Sequence, residues 1–406
     1  MSLEKIIPND WSLVNLSELS DVITKGTTPT TNGFSYLSQG VNFVKVESIH
    51  SNGNFISSRF AHVGLDCHDS FKRSQLKEGD ILFTIAGALG RSAIVKQDIL
   101  PANTNQAVAI IRLSNLGYKD YIFHYLRGDY VKKLIEKINV STAQANLSLG
   151  QINQFKIPLP PLPEQQKIAE ILSTVDAKIE VIDQQITETQ ALNKGLMQRL
   201  LTKGIGHTEF KDSQLGKIPK SWEVVKQSEV ATFFNGRAYK LTEWEKEGIP
   251  VIRLQNLTGT GKTYYYSNLK LPDHQYCHNG DLLYMWSATF GPVKWFGDKA
   301  IYHYHIWKIE HDLNRLDSGF HYYLLDGVTA RMKNESHGST MLHVTKGGME
   351  KLLIKLPSLK EQQKIADILS SVDEKLEILA EKKVNYQELK QGLMQQLLTG
   401  KIRVNV

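Results

Sequence analysis

At 406 residues, with 41% hydrophobic and 22% charged residues and a mean hydropathy of -0.29, the chain has the makeup of an ordinary globular protein of two or three domains. A formal charge of +6 and a pI near 8.9 permit a polyanionic partner; no apolar run of eighteen residues occurs and MSLEKIIPND lacks the form of a signal peptide, so the expectation is a cytoplasmic protein without a membrane partner. Two cysteines, Cys67 and Cys277, are too few for a disulfide framework or a thiolate zinc site.

The first segment, residues 1–158, opens on IPNDWSLVNLSEL at Ile7. Its runs VNFVKV, DILFTIAG and SAIVK, set between Gly, Asn, Asp and Pro, read as strands, and YIFHYLRGDYVKKLIEKI reads as helical. Residues 159–203 follow. Pro160, Pro161 and Pro163 suit the approach and first turn of a helix, and Glu164 places negative charge near its N-terminus. Ile168, Leu172, Val175, Ile179, Ile182 and Ile186 then step by four and three, and Leu196 and Leu200 resume the series after Thr189 and Asn193. That is a heptad seam, and a helix of about 39 residues ending near Gly204 would span ~58 Å.

Residues 204–355 repeat the plan, with IPKSWEVVKQSEV at Ile218, the strand-like runs PVIRL, DLLYMW and IYHYHIWKI, and the helical FHYYLLDGVTARMKN. Residues 356–406 carry the second seam of Ile365, Leu369, Val372, Leu376 and Leu379, then Tyr386, Leu393 and Leu397, interrupted by Lys383 and Lys390 and followed by Gly400. From Glu164 and from Glu361 the two seams share about 22 identities in 39 ungapped positions, so the chain is an internal duplication of globular segment plus long helix. The expected fold is α+β: two strand-rich domains in tandem repeat, separated by two long helices that form an antiparallel coiled coil. Gly195 and Gly392 hold equivalent places inside those helices, at ~1 kcal/mol each relative to Ala, either for close backbone approach or as an ancestral remnant.

Several phrases together resemble the specificity subunit of type I restriction-modification systems: LPPLPEQQKIAEIL and LPSLKEQQKIADIL at the helix starts, KGLMQRLLTKGI and QGLMQQLLTGKI at their ends, the paired IPxxW openings, and EGIPVIRLQNL with its weaker partner QGVNFVKVESI. The resemblance covers the whole chain. It implies two target-recognition domains, each reading one half of a bipartite double-stranded DNA sequence, and a helix pair that sets their separation. It further implies two methyltransferase subunits docked on the chain, with restriction subunits completing the enzyme. The loops KGTTPTT and NGRAYKL differ between the repeats, which fits unlike half-sites.

The positive excess lies in the two globular segments, +3 in residues 1–158 and +3 in 204–355. Loops there that combine basic, hydroxyl, amide and glycine residues suit phosphate positioning and base-edge readout. The candidates are Lys25, Thr27, Thr28, Arg59, Lys72, Arg73, Arg91, Asn103, Thr104, Asn105 and Gln106 in the first segment. In the second they are Arg237, Tyr239, Lys240, Arg253, Lys262, Tyr264, Ser287 and Lys294. Tyr265, Tyr266, Tyr302, Tyr304 and Trp307 read instead as strand-packed core, because aromatics favour strands.

TGTGKT at Thr258 lacks the first glycine of a phosphate loop, Asn256 standing in its place, and AGALGR at Ala86 reads as a turn between strands. His62, Cys67 and His68, or His274, Cys277 and His278, lack a second ligand pair at zinc spacing. No amino-methyltransferase signature, glycine-rich cofactor loop or placed nucleophile occurs, so the expectation is no cofactor, no metal and no catalytic residue, with catalysis supplied by partners. A self-sufficient DNA methyltransferase or nuclease would bind S-adenosylmethionine or cleave DNA alone; a coiled-coil adaptor would show no sequence-selective DNA binding at all.

Overall fold

The computed structural model describes residues 7–139, 146–287, 289–335 and 345–405. The chain forms two compact units, one of Met1–Gln184 with Glu381–Val406 and the other of Gln185–Ala380. Each therefore takes in a part of both long helices, which run over Leu162–Lys203 and Leu359–Leu397.

In the first unit β1 (Ser12–Asn15) pairs with β9 (Lys156–Leu159), tying the IPNDW opening to the segment that enters the first long helix. A four-stranded antiparallel sheet runs β2 (Ser20–Lys25), β8 (Val108–Leu113), β5 (Ile81–Thr84), β6 (Ser92–Ile94). A three-stranded sheet runs β4 (Ala61–Val63), β3 (Val41–Val44), β7 (Ala102–Thr104), with β3 and β7 parallel. Helices Lys119–Leu126 and Asp129–Asn139 share the expected helical stretch, broken at Gly128.

The second unit repeats this plan after a short pair of β10 (Phe210–Lys211) and β11 (Ile218–Pro219). Its opening strand β12 (Glu223–Lys226) pairs with β21 (Leu353–Leu356). One sheet runs β13 (Ala231–Asn235), β20 (Ile306–His311), β17 (Leu282–Ser287), β18 (Thr289–Lys294). The other runs β15 (Tyr265–Ser267), β14 (Ile249–Ile252), β19 (Ala300–Tyr302), β16 (Tyr276–Cys277), with β14 and β19 parallel. The run IYHYHIWKI, read from sequence as one strand, is two: β19 and β20 meet at a turn over His303–His305.

The long helices enter the cores. In the first unit Ile168 and Leu172 join Leu397 and Leu398 among Leu16, Phe83, Ile111 and Ile122, with Leu393 packed against them. In the second, Ile365 and Leu369 join Leu200 among Trp222, Phe233 and Phe320, with Leu196 at the margin. Burying each such leucine contributes about 2 kcal/mol. Along the rest of the seam Val175, Ile182, Val372 and Leu379 are buried, and Ile179 and Leu376 half-buried.

Polar pairs fix the helix register in each unit. In the first, Lys390 Nζ bonds Asp176 and Lys383 Nζ bonds Asp183, so seven residues forward on one helix are seven back on the other, as an antiparallel pair requires. Arg127 also donates to Asp176 at 3.2 Å. In the second unit the acid equivalent to Asp176 is Asp373, which accepts from Asn193 Nδ2 and from the Tyr323 hydroxyl, both at 2.8 Å. The lysines that interrupt the seam in the sequence thus have carboxylates to meet. Around both Gly195 and Gly392 an added Cβ would find open space among the described residues, so close backbone approach does not account for them.

Two Trp–Glu clamps hold the openings. Glu164 accepts from Trp11 Nε1 at 3.2 Å and from Arg403 Nε and Nη2 at 2.7 and 2.8 Å, while Arg403 also spans Asp10. Glu361 accepts from Trp222 Nε1 at 3.0 Å, the Ile205 N–H at 3.0 Å and His207 Nε2 at 2.8 Å.

The cores differ at three equivalent positions. Leu16, Leu113 and Ile122 are buried in the first unit, and Gln227, His311 and His321 stand in their places in the second. Gln227 Nε2 donates to the Met349 carbonyl, leaving Oε1 to accept from His321 Nε2 at 2.7 Å, and His321 Nδ1 then accepts from His311 at 3.0 Å. Burial lowers His311 to about 4 and holds His321 well below the ordinary imidazole value. The unfolded chain therefore binds protons between about pH 6.5 and 4 that the folded unit refuses, and stability falls as pH falls, by ~1.4 kcal/mol per pH unit for each such histidine. Thermal melts from pH 7 to 4.5 are expected to show this slope in the second unit, and Gln227→Leu/His311→Leu/His321→Ile to reduce it. An unchanged slope would place the acid sensitivity elsewhere.

Candidate nucleic-acid interface

In both units the chain leaving the first strand of one four-stranded sheet, β2 in the first and β13 in the second, lies against the turn that joins the two sheets. Gly26 N–H donates to the Val108 carbonyl and Thr27 N–H to the Thr104 carbonyl; in the second unit Gly236 N–H donates to Ile306 and Arg237 N–H to Tyr302. The approach is so close that a Cβ on Gly26 would stand 2.0 Å from the Thr104 oxygen, and one on Gly236 2.2 Å from the His303 oxygen, which requires glycine. The same backbone seat is thus dressed with different side chains.

In the first unit this seat gathers Lys25, Thr27, Thr28, Arg73, Asn105 and Gln106. Arg73 Nη2 donates to Thr27 Oγ1 at 3.3 Å, and the Thr28 hydroxyl donates to Gln106 Oε1 at 3.0 Å. Lys25, Arg73 and Gln106 are exposed, and Lys72 is exposed beside Arg73 on the 3-10 turn Lys72–Ser74. Asn103 and Thr104 are buried: the Thr104 hydroxyl donates to the Val44 carbonyl and Asn103 bonds His68 and Ser74, so both side chains are spent inside the unit. Arg59 is exposed on a separate turn, Ser57–Arg59, and Arg91 donates to the Ile49 carbonyl and lines a cleft of about 700 Å³ beside Arg127 and Lys390, none of which is among the seat residues.

The second unit presents an aromatic, cation-capped surface. Tyr239 stacks on Trp244 at 4.7 Å, with the Arg237 guanidinium 4.8 Å above Tyr239. Tyr265 is a second ring contact of Trp244, with centroids 4.7 Å apart, and carries the Arg253 guanidinium at 4.1 Å. The Gln255 amide oxygen accepts from both terminal nitrogens of Arg253 at 2.9 and 3.2 Å in the amide orientation that satisfies both groups, and Arg253 Nε, buried, has no partner among the described residues. Lys240 is exposed at the edge of this surface. Ser287 ends β17 next to Trp286, whose Nε1 donates to the Tyr304 carbonyl.

Tyr264 packs half-buried against the Ile252 cluster, while Tyr265, one residue on and so on the opposite face of the strand, is the ring that meets Arg253. Lys262 is exposed on the loop held by Asn256. Lys294 lies over Tyr322 of the helix Ser318–Glu335, not with the Arg237–Arg253 group. Tyr302 and Trp307 are buried core, as the sequence suggests, but Tyr304 is 39% exposed. Sequence reasoning also passed over Trp244, His303 and His305. The signal available was the run of rings itself, which strand propensity explains away.

Among the described residues no three His, Cys, Asp or Glu side chains converge as metal ligands, and no helix is long and apolar enough to cross a membrane. Cys277 is buried with its thiol on the Ala300 carbonyl, and burial pushes that thiol up to about 12.

A family profile described as the type I restriction modification DNA specificity domain matches residues 8–190 and 219–388, once per repeat. The chain is 31% identical to the MjaX type I restriction enzyme specificity subunit of Methanocaldococcus jannaschii over 98% of this chain and 95% of that one. Among solved structures it is similar in fold to a chain from work on complex assembly and conformational transition of the type I R-M system (TM-score 0.60, 20% identity, covering 98% of this chain and 99% of that one). It is likewise similar to the type I restriction-modification S subunit from M. genitalium (TM-score 0.57, 15% identity, 98% of each chain).

Proposed function

Since the chain belongs to the type I restriction-modification DNA specificity family, we propose that its two units read the two unlike halves of one asymmetric, interrupted DNA site, and that the chain itself performs no chemistry. The observation that carries this reading is the duplicated seat: one backbone arrangement, at Gly26 and at Gly236, bearing polar amide and hydroxyl groups in one unit and stacked rings with arginines in the other. Equivalent frames with unlike side chains suit equivalent grooves with unlike base pairs. The domain limits expected from sequence, 1–158 and 204–355, hold the two readers, and 159–203 and 356–406 hold the helices that space them.

The long helices carry a second duplicated feature. Val181 and Ile378 occupy equivalent positions, as do Leu192 and Leu389, and all four are 47–53% exposed. Apolar residues left outside a heptad seam on a solvent face favour docking of another protein. Their occurrence in duplicate supports two methyltransferase subunits on one chain, to which restriction subunits would add, in a cytoplasmic assembly.

Co-expression with a methyltransferase subunit, followed by mapping of modified bases across the host genome, is expected to yield one bipartite, asymmetric motif. The pure chain is expected to incorporate no label from tritiated S-adenosylmethionine into DNA. Methyl transfer by the chain alone, or a continuous motif from the complex, would overturn the reading.

A further inference from the structure

We propose that the turn His303–Tyr304–His305 sets the sequence preference of the second unit, and that Asn105–Gln106 holds the same office in the first; the assignment rests on the two-unit reading above. The turn is fixed by its backbone, not its side chains. Arg237 N–H donates to Tyr302, Tyr304 N–H to Arg237, and Trp286 Nε1 to the Tyr304 carbonyl, while its flanks Tyr302 and Ile306 are fully buried. The corresponding flanks Thr104 and Val108 are fully buried too. Between those flanks the two units share nothing: Asn-Gln-Ala in one, where Asn105 Oδ1 accepts from the Ala107 N–H and leaves Gln106 exposed, and His-Tyr-His in the other.

The side chains are neutral hydrogen-bonding groups, which suits short-range readout of base edges better than long-range attraction of phosphate. His303 stacks near Trp244 with rings 24° apart, Tyr304 lies 3.8 Å from the His305 ring, and His305 meets Trp286 edge-on. These contacts hold each ring in one orientation, so its polar edge is presented at low entropic cost. Burial lowers His303 to about 4 and His305 below its ordinary value, so both imidazoles are neutral at physiological pH. A neutral imidazole offers one donor and one acceptor, and a tyrosine hydroxyl offers both, whereas phosphate attraction calls for charge. The charged residues stand around the turn, at Arg237, Lys240 and Arg253, where they can position the duplex.

The test uses the full chain assembled with its methyltransferase subunit and reads the modified motif for Tyr304→Phe, Tyr304→Ala, His305→Gln and the exchange His303→Asn/Tyr304→Gln/His305→Ala. Discrimination at one or two positions of one half-site is expected to fall by about 5- to 150-fold, with the other half-site unchanged. Tyr304→Phe and His305→Gln keep the packing and carry the test if the larger changes fail to assemble. An unaltered motif in these two variants, or a loss uniform over both half-sites, would overturn the assignment. If the unsubstituted complex gave no bipartite motif, the two-unit reading would fall first and take the turn with it.

Discussion

Seven residues inserted into each long helix, after Gln190 and after Leu376, are expected to lengthen the spacer between the half-sites and leave both half-sites unaltered. One heptad preserves the phase of the seam and adds ~10.5 Å of helix, about the rise of three base pairs. Both helices must change together. The Asp176–Lys390 and Asp183–Lys383 pairs lie on one side of the insertion and Asn193–Asp373 on the other, so lengthening one helix alone has to break one set or the other. Paired and single insertions can be compared by melting temperature and by the modified motif. A paired variant that folds and keeps the original spacer would show that helix length does not set the separation.

Glu361→Ala is expected to destabilise the second unit by about 3 kcal/mol, and Glu164→Ala the first by a similar amount. Removing Glu361 strands three donors, among them the indole N–H of a fully buried Trp222, and each buried donor left unpaired costs ~1–3 kcal/mol. Glu164 is buried and salt-bridged to Arg403, and losing one partner of such a pair costs ~3–5 kcal/mol before solvent exposure of the arginine is discounted. Hydrogen exchange would locate each loss. A change below 1 kcal/mol, or one spread over both units, would mean the clamps are dispensable.

How much of this was legible depended on the range of the cause. The seams are legible as helices because a heptad is a local period, and the repeat is visible because its two copies can be laid side by side. The clamps were not legible as such: IPNDW and PEQQK each stood out, but Trp11 and Glu164 are 153 residues apart and only folding joins them. The turn at His303 hid inside IYHYHIWKI because it contains no Gly, Pro, Asn or Asp, while its counterpart in the first unit, NTNQAV, advertises itself with asparagines. Tyr264 and Tyr265 show a different limit. Choosing between neighbours in a strand requires its phase, and an error of one residue exchanges the core face for the exposed face. The polar core of the second unit was hidden for a similar reason, since a histidine in a strand or helix does not disclose whether it faces a glutamine or water.

The acid at Asp176 was copied to Asp373, but its partners across the seam were not kept alike: lysine at 390, asparagine at 193. Suppose the first helix paired with a second copy of itself in the same register. Asp176 would meet Asn193, as Asp373 does now, but Asp183 would face Ile186 and lose the ammonium of Lys383. A second helix paired with its own copy would set Lys383 against Ala380. One ion pair is therefore available only when unlike helices meet. In a cell making many copies at once, that single asymmetry favours pairing a first helix with a second over pairing like with like, and so keeps a site with two different ends from decaying into palindromes.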